Sequence, residues 1–138
     1  MSRIKTLLVD SNYDFMDALS YLLEKADIIA RLAPSKLKAI ELIESWKPHV
    51  VIIETNKNFN GFDVIDEIVQ QRGNNNNHVQ FIGMTMFYSA SIENQLKETH
   101  AKAYIVRSMD ADQIIGVIKD VYSGKQVFIN EHPKLKIF

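Results

Sequence analysis

Five short runs of aliphatic residues, each followed by a stretch with helical periodicity, constrain this chain more than any other feature. The runs are residues 6–9, 28–32, 50–53, 79–84 and 103–106, all rich in Val, Ile or Leu. Three show little polar alternation, which is the pattern of parallel strands buried on both faces. The run at 28–32 is interrupted by Arg31. Between the runs, apolar residues recur three and four apart. Phe15, Met16, Leu19, Leu22 and Leu23 mark a first helix, with Asn12 or Asp14 as its cap. Ser35 caps a second, which carries Ile40, Ile43 and Trp46 and is stopped by Pro48. Phe62, Ile65, Ile68 and Val69 mark a third, Ile92 and Leu96 a fourth, and Ile114, Ile115, Ile118, Val121 and Tyr122 a fifth, which ends at Ser123-Gly124.

Strand and helix therefore alternate five times. The expected fold is α/β: a (βα)5 doubly wound, five-stranded parallel sheet of the flavodoxin-like kind, with helices on both faces. Its 138 residues suit one domain. We read residues 1–130 as that domain and 131–138 as a tail or the start of a linker. The segment Gly73 to Asn77, with four successive asparagines, reads as a polar loop away from the strand carboxyl ends.

Charge and composition exclude several classes. Sixteen basic and seventeen acidic residues leave a net charge of −1, so no basic field points to nucleic acid. No basic helix or helix-turn-helix pattern follows the fifth helix, so DNA binding is expected only through an output domain absent from this chain. There is no cysteine, hence no disulfide and no thiolate metal site. No run approaches the length of a membrane span or a signal peptide. A cytoplasmic location is expected. His49, His78, His100 and His132 lack ligand spacing and read as surface or loop residues; Trp46 reads as core or rim packing.

In a doubly wound sheet the site forms beyond the carboxyl ends of the strands. There the sequence places Asp10-Ser11, Glu54-Thr55, Thr85 and Arg107. Two carboxylates, a hydroxyl and a guanidinium should share one rim. The stretch VVIIE is the clearest case: four apolar β-formers run into Glu54.

The order and spacing of these residues resemble the receiver domain of two-component response regulators, across nearly the whole chain. KTLLVDSNYDF resembles the first strand with its acidic pair, and KPHVVIIE the third strand leading to the phosphoacceptor. Asn60-Gly61-Phe62-Asp63 resembles the turn into the third helix, FIGMT the fourth strand with its threonine, and AKAYIVRS the fifth strand with its basic residue. SGKQVFIN is similar to receivers that precede LuxR-type helix-turn-helix output domains. The resemblance implies strand order 2-1-3-4-5. It also implies a pocket where an aspartate takes a phosphoryl group from a histidine kinase with Mg²⁺ held by the acids. By position, Thr85 matches the switch threonine and Tyr104 the switch aromatic.

Three positions depart from that pattern: Glu54 stands for the phosphoacceptor aspartate, Ser11 for the second acid, and Arg107 for the lysine. The loop TNKNFNG is also one residue shorter than usual and lacks the usual proline. Glutamate reaches roughly 1–1.5 Å further than aspartate, and misplacement by about 1 Å costs on the order of 100-fold in an in-line transfer. Ser11 removes a charge from the metal site, so Mg²⁺ is not expected, with Asp10 and Glu54 the residues that would hold it weakly. Arg107 is expected to pair with Glu54 bidentately, with Asp10 nearby. Plainer readings stand beside these: an exposed Glu54 and Arg107, a Thr85 that is only a buried strand-end hydroxyl, and a Tyr104 that is only packed.

The function expected is a degenerate, non-enzymatic receiver in signal transduction and transcription regulation. It would act as a phosphorylation-independent interaction module, binding a protein partner or a second copy through its α4-β5-α5 face at Ile92, Gln95, Leu96, Tyr104 and Val106. One alternative is phosphorylation at Asp10, Ser11 or Thr55. Another is a small flavodoxin-like flavin or nucleotide binder, but DSNYDF has no glycine and opens on an anion, which disfavours a phosphate cradle.

Overall fold

The computed structural model describes residues 3–56, 59–71 and 79–129. Strands β1 (Lys5–Val9), β2 (Ile29–Ala33), β3 (Val50–Glu54), β4 (Gln80–Thr85) and β5 (Ala103–Val106) alternate with helices α1 (Tyr13–Lys25), α2 (Lys36–Trp46), α3 (Gly61–Gln70), α4 (Ala90–Glu98) and α5 (Ala111–Tyr122). All five strands are parallel, in the order β2-β1-β3-β4-β5. The order reverses between β1 and β3, so Asp10 and Glu54 flank the switch point. The loop of four asparagines, His78, His132 and the tail at 131–138 lie outside the described residues. Among the described residues, no helix is long and apolar enough to cross a membrane.

Helix starts follow side-chain chemistry. Asn12, Ser35, Asn60 and Ser89 each accept a bond from a backbone N–H of the first turn that follows. Asp110 and Gln113 form a reciprocal capping box on α5. Right-handed crossovers put α1 and α5 on one face and α2, α3 and α4 on the other; α1 packs beside α5 and α2 beside α3. Every residue of β3 is buried, as its unbroken apolar run requires.

β2 begins one residue later than its apolar run. Asp27 takes a left-handed conformation (φ 65°), and Ile28 N–H returns to Leu23 O, so both residues serve to end α1. As an edge strand β2 leaves Arg31 exposed, its guanidinium 4.6 Å from the centre of the Trp46 ring. His49 is half-buried rather than superficial. Its Nδ1 accepts the Lys5 N–H at 2.9 Å, and burial, then the Lys5 charge, holds its pKa below the ordinary 6.5.

The chain past α5 contributes an element the periodicity gave no sign of. Val127 bridges Ala103 in parallel, with Tyr104 N–H to Val127 O at 3.1 Å and Val127 N–H to Lys102 O at 2.8 Å. Residues 127–129 are all buried. The outer edge of β5 is therefore covered, which removes a liability of edge strands. This cover, with α4 and α5 packed on β5, buries Leu96, Tyr104 and Val106. These three cannot belong to the exposed α4-β5-α5 surface expected of them. Of the residues assigned there, Ile92 is half-buried and Gln95 exposed.

Gly83 and Leu96 are matched in volume. A Cβ added at Gly83 would lie 2.4 Å from Leu96 Cδ1 and 2.5 Å from Cδ2. Gly83→Ala is expected to lose about 1–3 kcal/mol by overpacking, and Leu96→Ala about 2–5 kcal/mol by cavity formation. In the double variant the new methyl fills part of the cavity. Its loss in urea denaturation should be smaller than the sum of the two.

Candidate functional site

Four strand ends build one pocket. Asp10, directly after β1, is fully buried, and Glu54, the last residue of β3, is 2 % exposed. Gly61 allows this placement: a Cβ there would sit 2.3 Å from the Glu54 carbonyl oxygen, so only glycine lets α3 start so close to β3. Arg107, directly after β5, is tied to β4 by its N–H to Thr85 O at 3.0 Å.

A single nitrogen of Arg107 links the two acids. Nη2 donates to Asp10 Oδ1 and Oδ2 at 2.6 and 2.7 Å and to Glu54 Oε2 at 3.0 Å. The expected two-nitrogen fork onto Glu54 is not formed. The guanidinium favours Asp10, and among the described residues its buried Nε makes no hydrogen bond. The reason is position: the two carboxylates end adjacent strands, and one nitrogen reaches both. The guanidinium also lies 5.1 Å from the centre of the Phe15 ring, which screens it on α1.

The remaining acceptors are filled. Glu54 Oε1 accepts from Ser11 N–H at 3.1 Å and from Ser11 Oγ at 2.9 Å. Glu54 Oε2 also accepts from Asn56 Nδ2. Asp10 Oδ1 accepts from Asn12 N–H at 2.8 Å. Burial raises the Asp10 pKa above its ordinary 3.8, and the Glu54 charge adds to this; the Asn12 N–H and Arg107 oppose it without reversing it.

Thr85 does not turn toward these acids. Its Oγ1 donates to Phe87 O at 2.6 Å and meets Tyr104 Oη at 2.5 Å. Tyr104 is fully buried, and its Oη also accepts from Ser89 N–H at 2.9 Å. Burial is the main cause of its raised pKa. The same bonds hold the β4–α4 loop so that Phe87 projects 78 % exposed.

Of the positions singled out from sequence, Asp10, Ser11, Glu54 and Arg107 thus meet directly. Thr85 and Tyr104 form a second pair beside them, and Ile92 and Gln95 lie on α4. The Asn56 side chain, Tyr88 and Glu93 went unnoticed, and Phe15 was read only as part of the apolar face of the first helix. Glu93 is 1 % exposed, with Oε1 accepting from Tyr88 Oη at 2.7 Å. That bond to a carboxylate, with burial second, pushes the Tyr88 pKa up to about 12. Its spacing three residues before Leu96 was the available signal, since that places both on one face of α4.

A doubly wound five-stranded sheet with acids at its switch point defines a class of signalling domain, and comparison with known proteins agrees. The response regulator receiver domain pattern matches residues 6–119. The chain belongs to the response regulator receiver family. It is 23 % identical over 137 residues to the transcriptional regulatory protein DegU of Brevibacillus brevis, covering 97 % of this chain and 55 % of that one. The chain therefore spans about half the length of this curated relative. Its fold is similar to a LuxR-family two-component response regulator from Aurantimonas (TM-score 0.81, 19 % identity, 97 % of this chain and 95 % of that one). It is also similar to the signal receiver domain of a putative Luxo repressor protein from Vibrio parahaemolyticus (TM-score 0.77, 20 % identity, 88 % of this chain and 92 % of that one).

Two outcomes test the pocket's electrostatics. Arg107→Ala leaves two buried carboxylates facing each other and should lower stability by about 3–5 kcal/mol in urea denaturation. The second is a pH effect. A native pKa above the unfolded value contributes stability that is fully present below the ordinary 3.8 and is lost as pH rises through the native value. Asp10→Asn does not titrate, so its stability relative to wild type should increase as pH rises through the carboxylate range. A decrease would contradict the raised Asp10 pKa.

Proposed function

We propose that this receiver works as a phosphorylation-independent protein-interaction module in signal transduction, with Glu54 standing where the family carries its phosphoacceptor aspartate. The observation that supports it best is the saturation of Glu54. Each carboxylate oxygen already accepts from two donors, so neither is free to attack a phosphoryl group. Attack would require breaking these bonds around a carboxylate that is itself buried.

The donor set does not fit the divalent ion the family uses. Mg²⁺ needs oxygen ligands at about 2.0–2.1 Å in near-octahedral geometry. Here the space between Asp10 and Glu54 holds Arg107 Nη2, the second acid is Ser11, and no group of three or more acidic or His residues converges among the described residues. Arg107 supplies the positive charge, and the function needs no metal and no catalysis. The buried, hydrogen-bonded Tyr104 supports a switch pair held in one arrangement.

The docking face in this reading is what stays accessible of the α4-β5-α5 face, the outer surface of α4, since every residue of β5 is buried. Ile92 and Gln95 are the accessible members of the set assigned to it. A protein partner or a second copy would bind there, in the cytoplasm, and any DNA contact would fall to an output domain beyond this chain. One observation favours a second reading, phosphorylation elsewhere. Of Asp10, Ser11 and Thr55, only Ser11 is exposed, whereas Thr55 is buried with its hydroxyl on Met84 O at 3.2 Å.

Incubation with acetyl phosphate and Mg²⁺, followed by intact mass and peptide mapping, separates the readings. The wild-type chain is expected to gain no phosphoryl group, and Ser11→Asp/Glu54→Asp/Arg107→Lys to gain one at position 54. Modification of wild-type Glu54 or Asp10 would sink the proposal; modification of Ser11 would establish the second reading.

A further inference from the structure

Glu93 is a buried carboxylate for which the pocket has no use. It lies in the first turn of α4, where the helix dipole favours an anion. Its two oxygens bind two different parts of the chain: Oε1 takes Tyr88 Oη at 2.7 Å and Oε2 takes Ile129 N–H at 2.5 Å. Tyr88 belongs to the loop held by the Thr85–Tyr104 pair, and its ring centre lies 5.7 Å from that of Tyr104. Ile129 belongs to the segment that covers β5. That segment returns to Tyr104 itself, whose N–H donates to Val127 O at 3.1 Å. Phe128, between them, is 2 % exposed and lies under Lys97 of α4, with Nζ 5.3 Å from its ring centre.

These contacts form a closed circuit. It runs from the Tyr104 ring to Tyr88, to Glu93, to Ile129, along the segment to Val127, and back to the Tyr104 backbone. We infer that Glu93 is a positioning residue that couples the inward Tyr104 and the docked 127–129 segment into one cooperative unit, so that the state of the Thr85–Tyr104 pair is transmitted to residues 127–129.

The physical grounds are two. A buried carboxylate that loses one donor is left with an unsatisfied oxygen, so both bonds are favoured together with the one placement of Glu93 that serves both. Both ends also meet at a single residue, Tyr104, through its side chain and its backbone. If Tyr104 turned outward, it would remove the ring against which Tyr88 stands, and with it the group that holds Glu93 toward Ile129. The backbone at Ile129 is held by the Glu93 bond, two residues after the Val127 pairing. None of this depends on whether Glu54 is ever modified.

Residue-resolved hydrogen exchange on the full chain tests the coupling through two amides. Ser89 N–H reports the Tyr104 hydroxyl, and Ile129 N–H reports Glu93. Glu93→Gln should accelerate exchange at both by about tenfold or more, the effect of weakening hydrogen bonds to a charged group. Tyr104→Phe should do the same at Ile129. Tyr88→Phe, which removes only the phenol donor, serves if Glu93→Gln does not fold. Ile43→Val, in the core of α2, controls for general loss of stability and should change the two amides no more than the rest of the sheet. The coupling is overturned if the Glu93 or Tyr88 variant accelerates Ile129 but leaves Ser89 within about twofold of wild type. It is equally overturned if Tyr104→Phe leaves Ile129 unchanged, or if the control accelerates both amides as much.

Discussion

Two carboxylates brought side by side out of water at the ends of β1 and β3 require a cation between them, and much of this molecule follows from how that requirement is met. The sheet sets the problem: β1 and β3 are neighbours, so Asp10 and Glu54 have no means of separating. Arg107 answers it from the far strand, with a permanent charge on a side chain long enough to cross from β5. With both acids ionised, one negative charge remains in excess. Neutral donors soften it: the Ser11 hydroxyl and N–H, the Asn12 N–H and the Asn56 amide. The pocket is thus closed by its own residues. The carboxylate oxygens of both acids are already engaged.

Beside that pocket, tied to it by the Arg107 N–H to Thr85 O bond, lies the second polar cluster. Thr85 and Tyr104 bind each other rather than the acids, and the circuit through Tyr88, Glu93 and the 127–129 segment extends them to the edge of the sheet. The two clusters divide the work. One fixes charge at the switch point, and the other ties the β4–α4 loop, α4 and residues 127–129 to one another. Buried polar groups of this kind specify an arrangement more than they stabilise it, because each partner left alone costs more than the bond returns.

The alternation of strand and helix was legible because both periodicities are local. A strand buried on two faces must be apolar throughout, and a helix on one face must repeat near 3.6 residues. The convergence of Asp10, Ser11, Glu54 and Arg107 was legible too, since strand ends in a doubly wound sheet meet on one rim. Legibility failed where a residue's surroundings come from distant chain. Leu96 and Val106 were assigned to a surface because the resemblance to receivers pointed to the α4-β5-α5 face; residues 127–129, read only as an ending, cover β5. Glu93 was passed over because a charged residue on a helix is ordinarily solvated, and nothing near it in sequence announces an N–H arriving from position 129.

What the sequence by itself determined is the fold class and the identity of the residues at the strand ends. These are properties of residue type and local period. Only the tertiary structure decided the pairing: that one nitrogen of Arg107 serves both acids and leans toward Asp10, that Thr85 faces Tyr104, and that a carboxylate on α4 holds the Ile129 N–H. Hydrogen-bond geometry is set to fractions of an ångström by packing, and residue spacing along the chain carries no information at that scale.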